Sequence, residues 1–246
     1  MDKSLYVAMT GAKEMLQAQA VNNYNLANAN TTGFKAELTA FQGQAVVGTG
    51  YSSRVYAMDA SNGWDTSEGS IAATGRPLDV AIQGQGYIAV QGPNGQEAYT
   101  RNGDLHLTAD GVLETSSGQP VLGDNGPITL PPSSSIQIAE DGTVSVVPQG
   151  STPGTVANVG RIKLVNPAPD TLTRESGGLF QLAAGGTADA DASVKIASGA
   201  IESSNVDLAS AMVNMIDLAR NFDLQVKAMQ TADTNAQSSS QLLQST

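Results

Sequence analysis

The chain has no cysteine and a single histidine, His106. That excludes disulfide scaffolds, thiolate metal sites, iron–sulfur clusters and cysteine nucleophiles, and any histidine-dependent triad or metal site hangs on one position. Aromatics make up only 4% of 246 residues, which leaves few large anchors and predicts a thin core of Val, Ile, Leu and Ala. Basic residues are scarce as well: 12 Lys and Arg stand against 23 Asp and Glu, a formal net charge of −11. A polyanion repels phosphate backbones and acidic headgroups, so no nucleic acid partner is expected. No apolar run approaches the roughly 18–20 residues that span a bilayer, so no membrane insertion is expected. The opening Met1-Asp2-Lys3-Ser4-Leu5-Tyr6 lacks a basic region followed by an apolar one, so no cleaved secretory signal is visible.

Helix breakers divide what is present. Every proline lies between Pro77 and Pro169, neither Gly nor Pro follows Gly199, and only Gly11 precedes Gly33. Both ends can therefore be long helices while the middle cannot. Charge follows the same division. Residues 1–35 carry three basic and two acidic side chains, 204–246 two and four, and 36–203 seven and seventeen, giving net charges of +1, −2 and −10. In the middle, Asn94-Gly95, Asn102-Gly103, Asp110-Gly111, Asn125-Gly126 and Asp141-Gly142 favour hairpin turns. Short β-like runs stand between them, at 78–82, 105–107, 136–138, 144–146 and 161–164. The reading is an α+β chain: an N-terminal helix in 1–35, an extended and partly β connector over 36–75 anchored by Trp64, a central antiparallel all-β domain over 76–199, and a C-terminal helix in 200–246.

In the C-terminal segment Leu208, Met212, Met215, Ala219, Phe222, Val226, Met229, Asp233, Ala236, Ser240 and Leu243 alternate by four and three, a heptad seam. Ser204 with Asp207 reads as its N-cap and first-turn carboxylate. Leu5, Met9, Ala12, Leu16, Gln19, Asn23 and Leu26 repeat the spacing at the N-terminus, and that helix should stop near Asn30-Thr31-Thr32-Gly33. The two seams can meet as a discontinuous, coiled-coil-like domain, parallel or antiparallel. Backbone ordering costs about 1–2 kcal/mol per residue, and a well-buried Leu or Met returns only roughly 1.5–3 kcal/mol. With Gln19, Asn23, Asp233, Ser240 and several alanines in the seams, a lone pair is marginal. The termini should be largely disordered in the monomer and fold on assembly, with Leu5, Met9, Leu16, Asn23, Leu26, Leu208, Met212, Met215, Phe222, Val226 and Met229 binding partners.

At this point the residues resemble a known family. Residues 25–35, with Asn28, Thr32, Gly33 and Phe34, resemble the N-terminal signature of flagellar basal-body rod and hook axial proteins, and 204–216, with Asn205 and Val206, the C-terminal one. Residues 76–87, with Leu78, Asp79 and Val80, and 99–105, with Arg101 and Gly103, are similar to the family's shared β-domain segments. Length, the Met1-Asp2 opening and the compact middle are most similar to proximal rod subunits, with distal ones next. The resemblance implies a structural subunit with no catalytic role and no cofactor or metal, self-assembling through its terminal helices into a tubular, torque-transmitting shaft in the periplasm. It implies proximal and distal rod proteins, copies of this chain and the flagellar type III export apparatus as partners. The helices would line the inner wall, with the acidic body outward.

Enzymatic readings are weaker. Asp104 with Asp110, or Asp189 with Asp191, could serve a glycosidase, so a polysaccharide-binding or hydrolytic β-protein is the competing class. Gly84-Gln85-Gly86 lacks the third glycine of a dinucleotide fingerprint, and Ala188-Asp189-Ala190-Asp191 has too few oxygen ligands for a calcium loop. His106, between two leucines, reads as a strand residue facing solvent or a neighbour. Asp79 and Arg101 read either as local turn bonding or as an ion pair fixing the β-domain or a subunit contact.

Overall fold

The computed structural model describes residues 3–45, 55–150 and 156–244, so the 46–54 part of the expected connector lies outside the described residues. The chain is α+β and divides into two compact units. The first comprises residues 1–29, 36–65 and 206–246, and the second 30–35 and 66–205.

The first unit holds α1 (Lys3–Ala27), β1 (Glu37–Ala45), β2 (Val55–Trp64) and α2 (Leu208–Gln244). About half of the expected connector is therefore paired strand: β1 and β2 pair antiparallel from Glu37↔Trp64 to Ala45↔Val55, with an irregularity between Ala40 and Phe41. At 37 residues α2 runs about 55 Å at 1.5 Å per residue. It begins later than the sequence suggested. Its cap is Asp207, not Ser204: Asp207 Oδ1 accepts the Ala209 N–H at 3.1 Å, its other oxygen accepts the Ser210 hydroxyl, and its carbonyl accepts the Ala211 N–H at 2.9 Å. An Asp three residues inside a helix is a dipole partner; at the boundary it satisfies an orphan N–H directly, and that bond fixes the start.

The second unit is all-β: β3 (Ile71–Ala73), β4 (Val80–Gln83), β5 (Tyr87–Gln91), β6 (Glu97–Thr100), β7 (Leu105–Leu107), β8 (Leu113–Thr115), β9 (Leu122–Gly123), β10 (Gly126–Pro127), β11 (Ser133–Ile138), β12 (Thr143–Pro148), β13 (Ala157–Arg161), β14 (Leu164–Val165), β15 (Leu172–Arg174), β16 (Phe180–Leu182), β17 (Lys195–Ser198) and β18 (Ala200–Glu202). The largest sheet runs β14-β5-β6-β16-β15, a second runs β11-β12-β13, and β17 pairs β4 as β18 pairs β3. The core is aliphatic, with Ile82, Ile88, Val90, Leu105, Leu113, Val121, Val144, Ile162 and Ile196 fully enclosed; Tyr99 and Phe180 are its large aromatics.

Gly95, Gly111 and Gly142, each at positive φ, turn between consecutive strands as their Asn-Gly and Asp-Gly pairs predict, whereas Gly126 opens β10 and pairs with Gly123 across a turn of Asp124 and Asn125. Asn102-Gly103 is different. It makes no hairpin, and Gly103 lies flat against β4, where its carbonyl accepts the Val80 N–H at 2.9 Å. A Cβ at Gly103 would stand 1.7 Å from the Val80 carbonyl oxygen, so hydrogen is the only side chain that fits. Gly103→Ala should cost more than about 2 kcal/mol and lower the thermal midpoint of the β-unit by several degrees. Gly160→Ala, where nothing lies within 4 Å, should be near neutral in the same calorimetric scan.

Candidate functional site

Three of the signature segments converge in the second unit on one carboxylate. Strand β18 alternates Ala200 inward, Ile201 half-out and Glu202 inward, so the strand period alone buries a charge. Glu202 Oε1 accepts Lys35 Nζ at 2.8 Å and the Gly69 N–H at 2.9 Å, and Oε2 accepts Arg101 Nε at 2.7 Å. Lys35, Arg101 and Glu202 are all buried. The surplus positive charge is met by carbonyls: Lys35 Nζ also donates to Ser67 at 2.6 Å, and Arg101 Nη1 and Nη2 donate to Gly84, with Nη1 also reaching Gly86. Burial pulls the Lys35 ammonium below its ordinary 10.5, against the opposing effect of the hydrogen bond it donates to Glu202.

Backbone contact closes the same place. The Gly33 N–H donates to Glu202 O at 2.8 Å, and the Asn205 N–H to Phe34 O at 3.3 Å. Gly33 stands at φ +68° with room for no Cβ, which would lie 2.2 Å from the Arg101 carbonyl carbon. Buried Phe34 lies under the Arg174 guanidinium at 4.6 Å, and Arg174 Nη1 donates to Lys35 O at 2.9 Å. Thr32 and Asn205 are half-buried, Asn205 Nδ2 donating to Ser67 O at 3.1 Å. A second cluster holds the β4 entry. Asp79, buried beside half-buried Leu78 and buried Val80, accepts Arg76 and the Thr74 hydroxyl, and Arg76 also donates to Asp104. Asp79 and Arg101 thus each form an ion pair, but with Arg76 and Glu202 respectively. Burial pushes the Asp79 carboxyl up, and the Arg76 and Thr74 donors together outweigh it and hold it below 3.8. His106 on β7 is exposed.

In the first unit α1 and α2 pack against each other antiparallel: Asn22 Nδ2 donates to Ala211 O at 2.8 Å, and Gly11 sits against Gln225. The α1 face turned inward bears Leu5, Ala8, Ala12, Met15, Ala18, Asn22 and Leu26, and the α2 face Ala211, Met215, Leu218, Phe222, Val226, Met229 and Ala232. This corrects the sequence seam by one residue in alternate steps. Met9, Leu16, Asn23, Leu208 and Met212 are exposed, whereas Leu5, Leu26, Met215, Phe222, Val226 and Met229 are half-buried. The buried face takes Ala8 in place of Met9 and Ala18 in place of Gln19 on α1, but Leu218 in place of Ala219 on α2, so side-chain size alone does not set its phase. Asn28, just beyond α1, is half-buried with Nδ2 donating to Tyr24 O at 2.9 Å; Val206 is half-buried; the Leu243 side chain lies outside those described.

The displaced residues form stripes of their own. On α1, Tyr6, Met9, Leu16 and Tyr24 lie on the side away from α2, with Met9 52% and Leu16 51% exposed. On α2, Met212, Val213 and Ile216 do the same, Ile216 being 67% exposed. From Asp233 to Gln241 every side chain is exposed, and several hydroxyls turn back onto their own helix: Thr234 onto Gln230 O at 2.9 Å, Ser238 onto Thr234 O at 3.0 Å and Ser239 onto Asn235 O at 2.9 Å. Among the described residues no helix is long and apolar enough to cross a membrane.

Glu202 and Lys35 escaped the candidate set drawn from sequence. Glu202 had a signal, an acid in phase with the buried face of a short strand; Lys35 ended a signature segment but nothing local marked it as buried.

Three family models match the chain: "Flagella basal body rod protein" over residues 5–35, "Flagellar hook protein FlgE/F/G D1 domain" over 81–146, and "Flagellar basal body rod FlgEFG protein C-terminal" over 197–242. The flagellar basal-body rod protein FlgF of Salmonella typhimurium is 43% identical over 99% of both chains. Its Escherichia coli counterpart is 41% identical over 99% of both. The rod protein FlgG of Bacillus subtilis is 34% identical over 94% of this chain and 95% of its own.

Glu202→Gln should destabilise the β-unit by about 3–5 kcal/mol, because it leaves two buried cations without their anion. Lys35→Met should cost less, since the Arg101 pair survives; urea unfolding of the two variants gives the order. Asp79 contributes stability above its ordinary 3.8 that is lost as pH falls through its lower folded value. Asp79→Asn, weaker at neutral pH, should therefore lose less further stability than the parent between pH 4 and 2.

Proposed function

The chain belongs to the flagellar basal-body rod protein family and is a structural rod subunit, most like FlgF, and from that premise we propose that it builds the proximal part of a tubular, torque-transmitting shaft by packing its terminal helices against those of neighbouring subunits. The observation that carries this reading is the pair of exposed apolar stripes on α1 and α2, each on the side of its helix away from the internal pair. A helix that is apolar on two sides suits a site between other helices, and isolated it leaves large side chains in water. The Asp233–Gln241 stretch supports the same conclusion. With no buried side chain it gains little from the chain's own folding, and its back-bonded hydroxyls let another helix approach without demanding new acceptors. The near-neutral helical ends suit a crowded wall, and the −10 carried by residues 36–203 suits the solvent-facing body.

Partners on this reading are further copies of the chain, the other proximal rod subunits and the distal rod protein. The shaft lies in the periplasm, and the flagellar type III export apparatus delivers the subunit. A cysteine-free chain whose helices gain most of their burial from neighbours is easily kept unfolded for such passage.

Removing 233–246 should leave the thermal midpoint of the β-unit unchanged and abolish motility with normal growth. In the free monomer, amides of 230–241 should exchange freely, and they should become protected once the subunit is assembled. Strong protection of 230–241 in dilute monomer, or full motility of the truncated chain, would overturn the proposal.

A further inference from the structure

Between the helices and the hairpin of the first unit lies a groove of about 350 Å³. Val21 and Asn22 of α1, Leu38 and Phe41 of β1 and Leu218 of α2 form its walls, and its lining carries two carboxylates, Glu37 and Asp217, and no cation. Leu38 and Phe41 are exposed, 51% and 43%, so none of the described residues fills the apolar part. We propose that this groove receives the α1 ridge of a second copy of the chain, with Lys13 of the incoming copy set beside Glu37 and Asp217. The proposal rests on the reading above that subunits pack through their helices, and it names which surface meets which.

Charge selects the occupant. The exposed α1 stripe presents Tyr6, Met9 and Leu16, and Lys13, also exposed, stands one turn from Met9 and from Leu16. Between Tyr6 and Leu16 the other charged residue, Glu14, is buried, so the ridge offers apolar bulk around a single cation. The exposed α2 stripe is a poorer match, because Asp217 and Asp223 flank Arg220 and would bring carboxylates to carboxylates. Lys side chains lay their methylenes on apolar surface and carry the ammonium to the edge, where the two acids are. Groove and ridge are different surfaces of one chain. Each copy that docks therefore leaves one free groove and one free ridge, and the contact propagates as an open line of subunits instead of closing as a two-fold dimer.

The absence of native cysteine makes a direct test available in the full-length chain. Lys13→Cys and Asp217→Cys proteins, mixed and mildly oxidised, should cross-link at least tenfold more than either alone and more than Lys13→Cys mixed with Lys227→Cys. Both positions are exposed, and circular dichroism of each variant should match the parent. By sedimentation, Lys13→Glu should weaken self-association about fivefold, Asp217→Lys likewise, and the two mixed should recover the loss, as expected for facing charges. Unchanged association in Lys13→Glu, equal cross-linking to Lys227→Cys, or preferential capture of Asp217→Cys by a different rod subunit overturns the ridge-in-groove pairing and leaves the helix-based reading standing. A parent chain that stays monomeric at every concentration overturns the pairing and also copy-to-copy assembly.

Discussion

Glu202 gathers a lysine 167 residues earlier in the chain and an arginine 101 residues earlier, together with the Gly69 N–H, around two carboxylate oxygens. No strand pairing in the β-unit is long, and the sheets of two or three short strands would fray without a tie between them. The carboxylate supplies that tie, and its geometry dictates the glycines nearby. Gly33 lies against the Arg101 backbone, Gly69 against Ser203 and Gly103 against Val80, each at a distance where a methyl group would collide with backbone. A buried charge of this kind is tolerable only when every donor is in place, so the signature residues are fixed as a set.

Local signals were legible and long-range ones were not. The distribution of Gly and Pro gave two helices and a β-middle, and Asn94-Gly95 or Asp141-Gly142 announced their turns because the turn chemistry is contained in four residues. Asn102-Gly103 carries the same dipeptide for another reason, the close passage of β4, which no local pattern encodes. The helix seams were found at the right spacing and in the wrong phase on alternate steps. Hydrophobicity ranks residues by what they gain from leaving water, whereas the faces that α1 and α2 bury are set by the whole unit, in which α1 also packs on β1 and β2. Lys35 and Glu202 belong to segments too far apart for any window to pair them.

The two helices carry large apolar residues on both faces, Met215, Phe222, Val226 and Met229 toward the pair and Met9, Leu16 and Ile216 away from it. In a protein meant to stay alone the larger residues would be inside, where they return the most free energy. Here Met9, Leu16 and Ile216 are withheld from the subunit's own core, and the hydroxyls of the last turns satisfy themselves. The individual chain is thereby kept less stable than its composition allows, and the difference is available when neighbours arrive.

The β-unit is also entered and left at one spot: Gly33 is bonded to Glu202 and Asn205 to Phe34, and Lys35 and Asn205 both donate to Ser67, next to Thr66 where the chain returns after β1 and β2. A module whose entrance and exit touch can be enlarged, trimmed or exchanged at its distant loops without altering the gap that the flanking chain must bridge. A scaffold of this form lets evolution vary the bulk and decoration of a subunit while the doorway stays the same width.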